Sequence, residues 1–192
     1  MLGKYKYTEA EEKELLSSIV ILVDTKEKVN NHITDYFDAH GIPYKKKELQ
    51  NGDYSFYVPK NEKLSIMRDT YFNDEIFIER KANLEELSAN LSAERARFEK
   101  EMATAKAKKK YLLIENAGYE DVVNGNYDTQ YNKKSYLGSI HSFNHKYDLQ
   151  IVFMKERAYT PIYIYGVMSI IHSQNRLFLM MCSIKILIGS NI

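Results

Sequence analysis

The chain has 192 residues, 44% hydrophobic and 28% charged, with 27 Lys and Arg against 26 Asp and Glu and a net charge of +1. This is one ordinary soluble domain, which excludes a polycationic DNA-coating protein but not a local basic patch. A domain of ~150–200 residues hides roughly two thirds of its unfolded surface, so the core needs no structural metal or disulfide, and the lone Cys182 makes no internal bridge. One thiol and an N-terminus without an apolar signal segment predict a cytoplasmic protein, prokaryotic or phage-encoded, with no secretion signal.

Residues 1–18 are polar and helix-prone and read as an N-terminal extension. Residues 18–23 are a β-branched apolar run ending in Asp24, the pattern of a strand buried on both faces. Residues 29–40 carry Val29, Ile33 and Phe37 at helical spacing and stop at Gly41 and Pro43. Strands follow at 44–49 and 53–58 around an Asn51-Gly52 turn. Residues 59–74 form a loop with a further hairpin arm through 64–67, and a strand at 76–78 leads into Glu79-Arg80-Lys81.

Asn83 to Glu86 resembles a capping box. It opens one long helix whose apolar stripe includes Leu84, Leu87, Leu91, Phe98, Met102 and Ala105, with Lys108 to Lys110 closing it. A strand at 111–114, a helix at 132–145, a strand at 149–154 and a helix from Thr160 complete the pattern. Strands alternating with helices predict an α/β sandwich, a central mixed β-sheet flanked by helices. Residues 160–192 form a C-terminal helix and an apolar tail. The run at 177–188 is too short for a membrane span, which needs about 20 apolar residues. It reads as a packed or sticky tail, or as a frameshifted end.

Chemistry concentrates where apolar strands end in acids: Asp24, Asp53 and Glu79, the last with Lys81 two residues on and therefore on the same strand face. Converging carboxylates repel one another, and a hard divalent cation such as Mg²⁺ or Mn²⁺ relieves the repulsion. No His or Cys spacing offers a zinc site instead. An ammonium beside a metal-held carboxylate suits phosphodiester hydrolysis. Each residue also has a plainer reading: Asp24 as a helix cap, Asp53 as a turn residue, Glu79 and Lys81 as an exposed ion pair, and Glu85 as a helix N-terminal acid. His141 and His145 lie four apart on a helix without the acid of a zinc protease motif, and read as structural.

Val23-Asp24-Thr25-Lys26-Glu27, Asn51-Gly52-Asp53-Tyr54 and Ile78-Glu79-Arg80-Lys81 together resemble the XPF/Hef-type structure-specific endonucleases of the PD-(D/E)XK nuclease superfamily. The resemblance covers roughly residues 19–155, and the block 19–159 is taken as the nuclease domain. It implies a restriction-endonuclease-like three-layer sandwich. It implies metal ligation by Asp53 and Glu79, with the Arg80 main-chain carbonyl and Asp24, support from Glu27 and Glu85, and a water-positioning role for Lys81. Lys26 stands where the family usually has Arg, and Glu85 where it has Asp.

Arg95-Ala96-Arg97-Phe98-Glu99 also looks like this family. Arg80, Arg95, Arg97, Lys106 and Lys109 are the expected DNA contacts, with Lys45, Lys46 and Lys47 as a second candidate set. The expected activity is metal-dependent cutting of branched or flap DNA in repair, recombination or phage DNA processing, by a homodimer with no membrane association. The alternative is a non-catalytic DNA-binding partner subunit with the same fold. No base-reading element is found, so specificity is expected to come from DNA shape.

Overall fold

The computed structural model describes residues 7–170. The apolar run after Ser18 forms β1 (Val20–Val23), with β2 (Tyr44–Lys46) parallel to it and β3 (Tyr54–Val58) antiparallel on its other side. β4 (Thr70–Tyr71) pairs with β3, and β5 (Ile76–Lys81), β6 (Lys109–Glu115) and β7 (Leu149–Met154) complete a seven-stranded sheet ordered β2-β1-β3-β5-β6-β7. β3 and β5 are antiparallel, whereas β5, β6 and β7 run parallel, so their connections cross over a sheet face and carry helices there.

Strand alternation divides the core in two. Ile21, Val23, Tyr54, Phe56, Ile76, Ile78 and Leu113 face one cluster with helices α1 (Glu9–Ser17), α2 (Asn31–Ala39) and α7 (Thr160–Ile170). Phe77, Leu112, Ile114 and Leu149 face the other, with α3 (Leu84–Leu91), α4 (Arg95–Thr104), α5 (Tyr119–Asn124) and α6 (Lys133–Tyr147). Each fully buried Leu, Ile or Phe contributes roughly 1.5–3 kcal/mol. The architecture is the predicted α/β sandwich around a mixed sheet.

Within the polar N-terminal segment, α1 is held by a Thr8–Glu11 capping box and buries Leu15 in the first cluster. The long helix after Asn83 is instead two helices. Ser92 Oγ donates to the Ser88 carbonyl at 2.6 Å and Asn90 Nδ2 to Glu94 at 2.8 Å, and such side-chain bonds compete with the helical ladder. Lys109 and Lys110 do not close a helix but open β6, because the chain turns extended at Ala105 and buries Ala105 and Ala107. The hairpin arm expected at 64–67 is reduced to an isolated bridge from Asn61 to Ile66. Among the described residues no helix is long and apolar enough to cross a membrane. Cys182 and the apolar run at 177–188 lie outside the described residues.

Candidate active site

β1, β2, β5, β6 and β7 all end at one edge of the sheet, where β3 begins. Loops beyond strand carboxyl ends are where open α/β sheets place ligands, and Asp24, Asp53, Glu79 and Lys81 all stand at this edge.

Asp53 is placed by the turn before it. Gly52 has φ +69°, and a Cβ there would lie 2.4 Å from the Phe77 ring, so only glycine passes over Phe77. The Asp53 N–H donates to the Ile78 carbonyl at 2.9 Å, and Asp53 Oδ2 accepts the Arg80 N–H at 2.7 Å. Residues two apart in a strand turn their main-chain polar groups to the same edge, so the Arg80 carbonyl also projects toward Asp53. Burial, then the Glu79 charge, push the Asp53 carboxyl well above its ordinary range, against the Arg80 N–H.

Glu79 and Lys81 are buried on the α4 side of β5, with Lys81 Nζ 2.7 Å from Glu79 Oε1, 3.8 Å from Glu86 Oε1 and 5.3 Å from the Phe98 ring centre. Burial alone would lower the Lys81 ammonium, and the adjacent Glu79 carboxylate outweighs it and holds the pKa up. Glu101 on α4 belongs to the same surroundings. Burial and the Glu79 charge raise its pKa, with Lys81, Arg97 and the Gly52 amide working against them. The sequence reading missed Glu101, although its position three residues after Phe98 places it on the Phe98 side of the helix.

Arg80 turns the other way. Its side chain is 5% exposed; Nε and Nη2 reach Glu27 Oε1 at 2.9 and 2.5 Å, Nη1 reaches Glu115 Oε2 at 2.6 Å, and Nη2 also reaches the Val29 carbonyl at 3.0 Å. Glu115 in turn meets His32 Nε2 at 2.8 Å. Although burial opposes it, Glu27 and then Glu115 keep the guanidinium firmly charged. Four of its donor contacts are spent on protein, so Arg80 offers its main chain to the site and its side chain to the α2 face. It is not a phosphate contact in this arrangement. His32 and Asn30, whose Nδ2 donates to the Tyr54 hydroxyl at 3.2 Å, carried no sequence signal.

The remaining expected residues separate. Asp24 Oδ1 accepts the Leu49 N–H at 2.9 Å while its own N–H meets the Asp53 carbonyl at 2.8 Å, so it fixes two loops at the edge. Glu85 accepts the Asp128 N–H at 2.8 Å, away from Lys81, and its neighbour Glu86 faces the site. Arg95 pairs with Glu99 within α4 and ties that helix to Ser139 of α6, whereas Arg97 is 65% exposed beside Glu94 and Glu101. Lys106 and Lys109 lie at the opposite end of the sheet, since Lys109 pairs with Ile76 and Ile114 with Lys81. That is five residues, or about 17 Å along the strand.

Among the described residues no three His, Cys, Asp or Glu side chains are gathered to hold a metal ion. What this end of the sheet does bring within electrostatic reach of each other is the pair Asp53 and Glu79. Two hard carboxylates whose charges repel suit Mg²⁺ or Mn²⁺, which complete their shells with water and substrate oxygens.

The sequence matches the ERCC4 domain over residues 23–167. No curated protein matches it. The fold is similar to that of XPF from Aeropyrum pernix, with a TM-score of 0.55 and 14% identity over 82% of this chain and 62% of that one. It is similar also to XPF from Aeropyrum pernix in complex with DNA, with a TM-score of 0.57 and 16% identity over 82% of this chain and 66% of that one. The chain thus spans less than two thirds of each of these proteins.

Proposed function

The chain belongs to the ERCC4 domain family, a family of DNA structure-specific nucleases, and on that footing we propose that it is a divalent-metal-dependent endonuclease hydrolysing phosphodiester bonds in branched or flap DNA. The observation that carries this reading is the buried Lys81–Glu79 pair, 2.7 Å apart, within the electrostatic reach of Asp53. A structural ion pair alone has no need of a second carboxyl held above its ordinary range beside it.

Asp53 and Glu79 are the residues to hold Mg²⁺ or Mn²⁺, with the Arg80 carbonyl beside them. When bound, the cation would polarise a phosphoryl oxygen and acidify a water. Lys81 stays an ammonium, so its role is donation: it orients the attacking water and offsets charge on the pentavalent phosphorus. Its burial against Phe98 limits its rotamers, which keeps Nζ near Glu79. Asp24 and Glu27 support the site indirectly, Asp24 by fixing the Leu49 loop and Glu27 by orienting Arg80. Arg97 supplies the exposed cation at the rim. In this reading, selection acts through DNA shape. A homodimer belongs to the same reading, and sedimentation equilibrium measures it directly.

The test is incision of labelled flap, fork, Holliday-junction and linear DNA with Mg²⁺ or Mn²⁺ by the native chain, Asp53→Ala and Lys81→Ala. Metal-dependent cutting lost in both variants is expected, with the favoured DNA naming the substrate. A folded native protein that binds branched DNA without cutting it would instead be a non-catalytic partner subunit.

A further inference from the structure

The helices α3 to α6 cover only part of the sheet face that carries Glu79 and Lys81. No residue of β1, β2, β3 or β4 belongs to the cluster beneath them. Over that part the face is lined by side chains from the strands and their loops. Lys45 pairs with Leu22 and Ser55 also pairs with Leu22, so Lys45, Ser55 and, two residues on from each, Lys47 and Tyr57 share Leu22's face. Leu22 is fully buried yet lies in neither core cluster. Lys47 Nζ sits 3.7 Å above the Tyr71 ring, and Tyr71 stacks on Tyr57 at 5.0 Å. Lys45 and Lys47 are exposed, and among the described residues neither has a carboxylate within ion-pair distance.

We propose that this shelf, Lys45 and Lys47 beside the Tyr57–Tyr71 stack, binds the phosphate backbone of the DNA arm next to the cut. The proposal rests on the nuclease reading and adds where the substrate lies. Two cations without acid partners, on the same face as Glu79 and Lys81, complement a polyanion, and Tyr71 holds Lys47 in place by a cation–π contact. The Lys47 main chain meets the Val23 carbonyl and so stands level with Glu79, three strand spacings or about 14 Å away. Its side chain leans along the face to the Tyr57–Tyr71 stack, which lies at the Val20 end of β1, about 10 Å from Tyr54. The sideways spacing alone equals about four base pairs of duplex rise at 3.4 Å each. A duplex whose reacting phosphate meets Lys81 therefore presents a phosphate to Lys47 at least about four base pairs away. Lysines on an edge strand can also serve only to prevent strand pairing between molecules, and the test separates that role.

Binding to a fluorescent flap duplex is measured in EDTA, without cleavage, across a salt series for the full chain, Lys45→Glu/Lys47→Glu, the milder Lys45→Gln/Lys47→Gln, and Lys109→Glu at the far end of the sheet. We expect the slope of log K against log salt to shrink by about two in the Gln pair, one per lost phosphate contact, with a tenfold or greater loss of affinity in the Glu pair. Lys109→Glu is expected to bind as the native chain does. Equal losses in Lys109→Glu and the shelf variants would reduce the effect to overall charge and overturn the proposal. Native binding accompanied by new self-association would do so too, assigning the lysines to edge protection. If the native chain cuts DNA while the shelf variants bind normally, the shelf fails and the nuclease reading stands. If the native chain neither binds nor cuts any DNA, the nuclease reading itself fails.

Discussion

Asp53 Oδ2 accepts the main-chain N–H of Arg80 at 2.7 Å, while the Arg80 side chain leaves the strand to meet Glu27 and Glu115. A carboxylate thus continues the β3–β5 pairing just where β3 begins. The position of Asp53 is set by backbone geometry, and the surrounding charges determine how readily it ionises.

Asp53 is expected to trade stability for cation binding. Its folded pKa is raised by burial and by Glu79, so the folded protein retains a proton that the unfolded chain releases. The metal-free fold is therefore most stable below the ordinary carboxylate range and loses stability as pH climbs from there through the raised value. Asp53→Asn keeps an acceptor for the Arg80 N–H and removes the charge. Thermal denaturation in EDTA should show a higher Tm for Asp53→Asn, about 2–4 °C for each kcal/mol of repulsion relieved. Adding Mg²⁺ or Mn²⁺ should then stabilise only the native chain.

The same shift makes cation binding compete with a proton. Titration calorimetry of Mn²⁺ in buffers of different ionisation enthalpy should show proton release on binding. Affinity should rise with pH across the window between the ordinary carboxylate range and the raised Asp53 value. A pH-independent affinity with no proton release would exclude Asp53 as a ligand.

Lys81 and Glu79 should prove energetically coupled. Their side chains are 7% and 9% exposed, so removing one partner strands a buried charge, at a cost of roughly 3–5 kcal/mol. Urea denaturation is expected to place Lys81→Met well below the native chain and the double variant Lys81→Met/Glu79→Gln above Lys81→Met. Both variants should lose incision by at least about 10²-fold, the scale of losing one electrostatic stabiliser.

Arg80→Lys distinguishes a buried anchor from a DNA contact. A lysine cannot bridge Glu27, Glu115 and the Val29 carbonyl at once, so loss of about 1–3 kcal/mol of stability is expected. The salt dependence of DNA binding should be unchanged. A slope reduced by about one would make Arg80 a phosphate contact after all.

Gly52→Ala should be among the most damaging single changes. It imposes both a positive φ and a Cβ 2.4 Å from the Phe77 ring, with backbone strain alone costing on the order of 1–3 kcal/mol. A sharply lowered Tm with loss of incision is the expected result.

β1, β3, β5, β6 and β7 were legible because each carries an apolar run of β-branched, aromatic or leucine residues, and alternation already placed Glu79 and Lys81 on one face, whereas the two-residue β4 fell within the expected loop at 59–74. The break at Ser92 was not legible, because the stripe from Leu84 to Met102 keeps helical spacing across it and only local bonds by Ser88, Asn90 and Ser92 end the helix. The site was legible where it lies in contiguous motifs. Glu101 and His32 were missed because their partners lie on other elements. Lys109 misled for a related reason: a lysine run suits a helix end, but the buried Ala105 and Ala107 set the strand's start.

All six residues of β5 are buried, and this divides mutational outcomes by parity. At the odd positions 77, 79 and 81 the strand serves the α4 face, and at the even positions 76, 78 and 80 the α2 face. A lineage could therefore discard Glu79 and Lys81 together and keep its scaffold through Ile76, Ile78 and Arg80. Insertion of one residue within the strand would exchange the two sets, and chemistry and folding would be lost together.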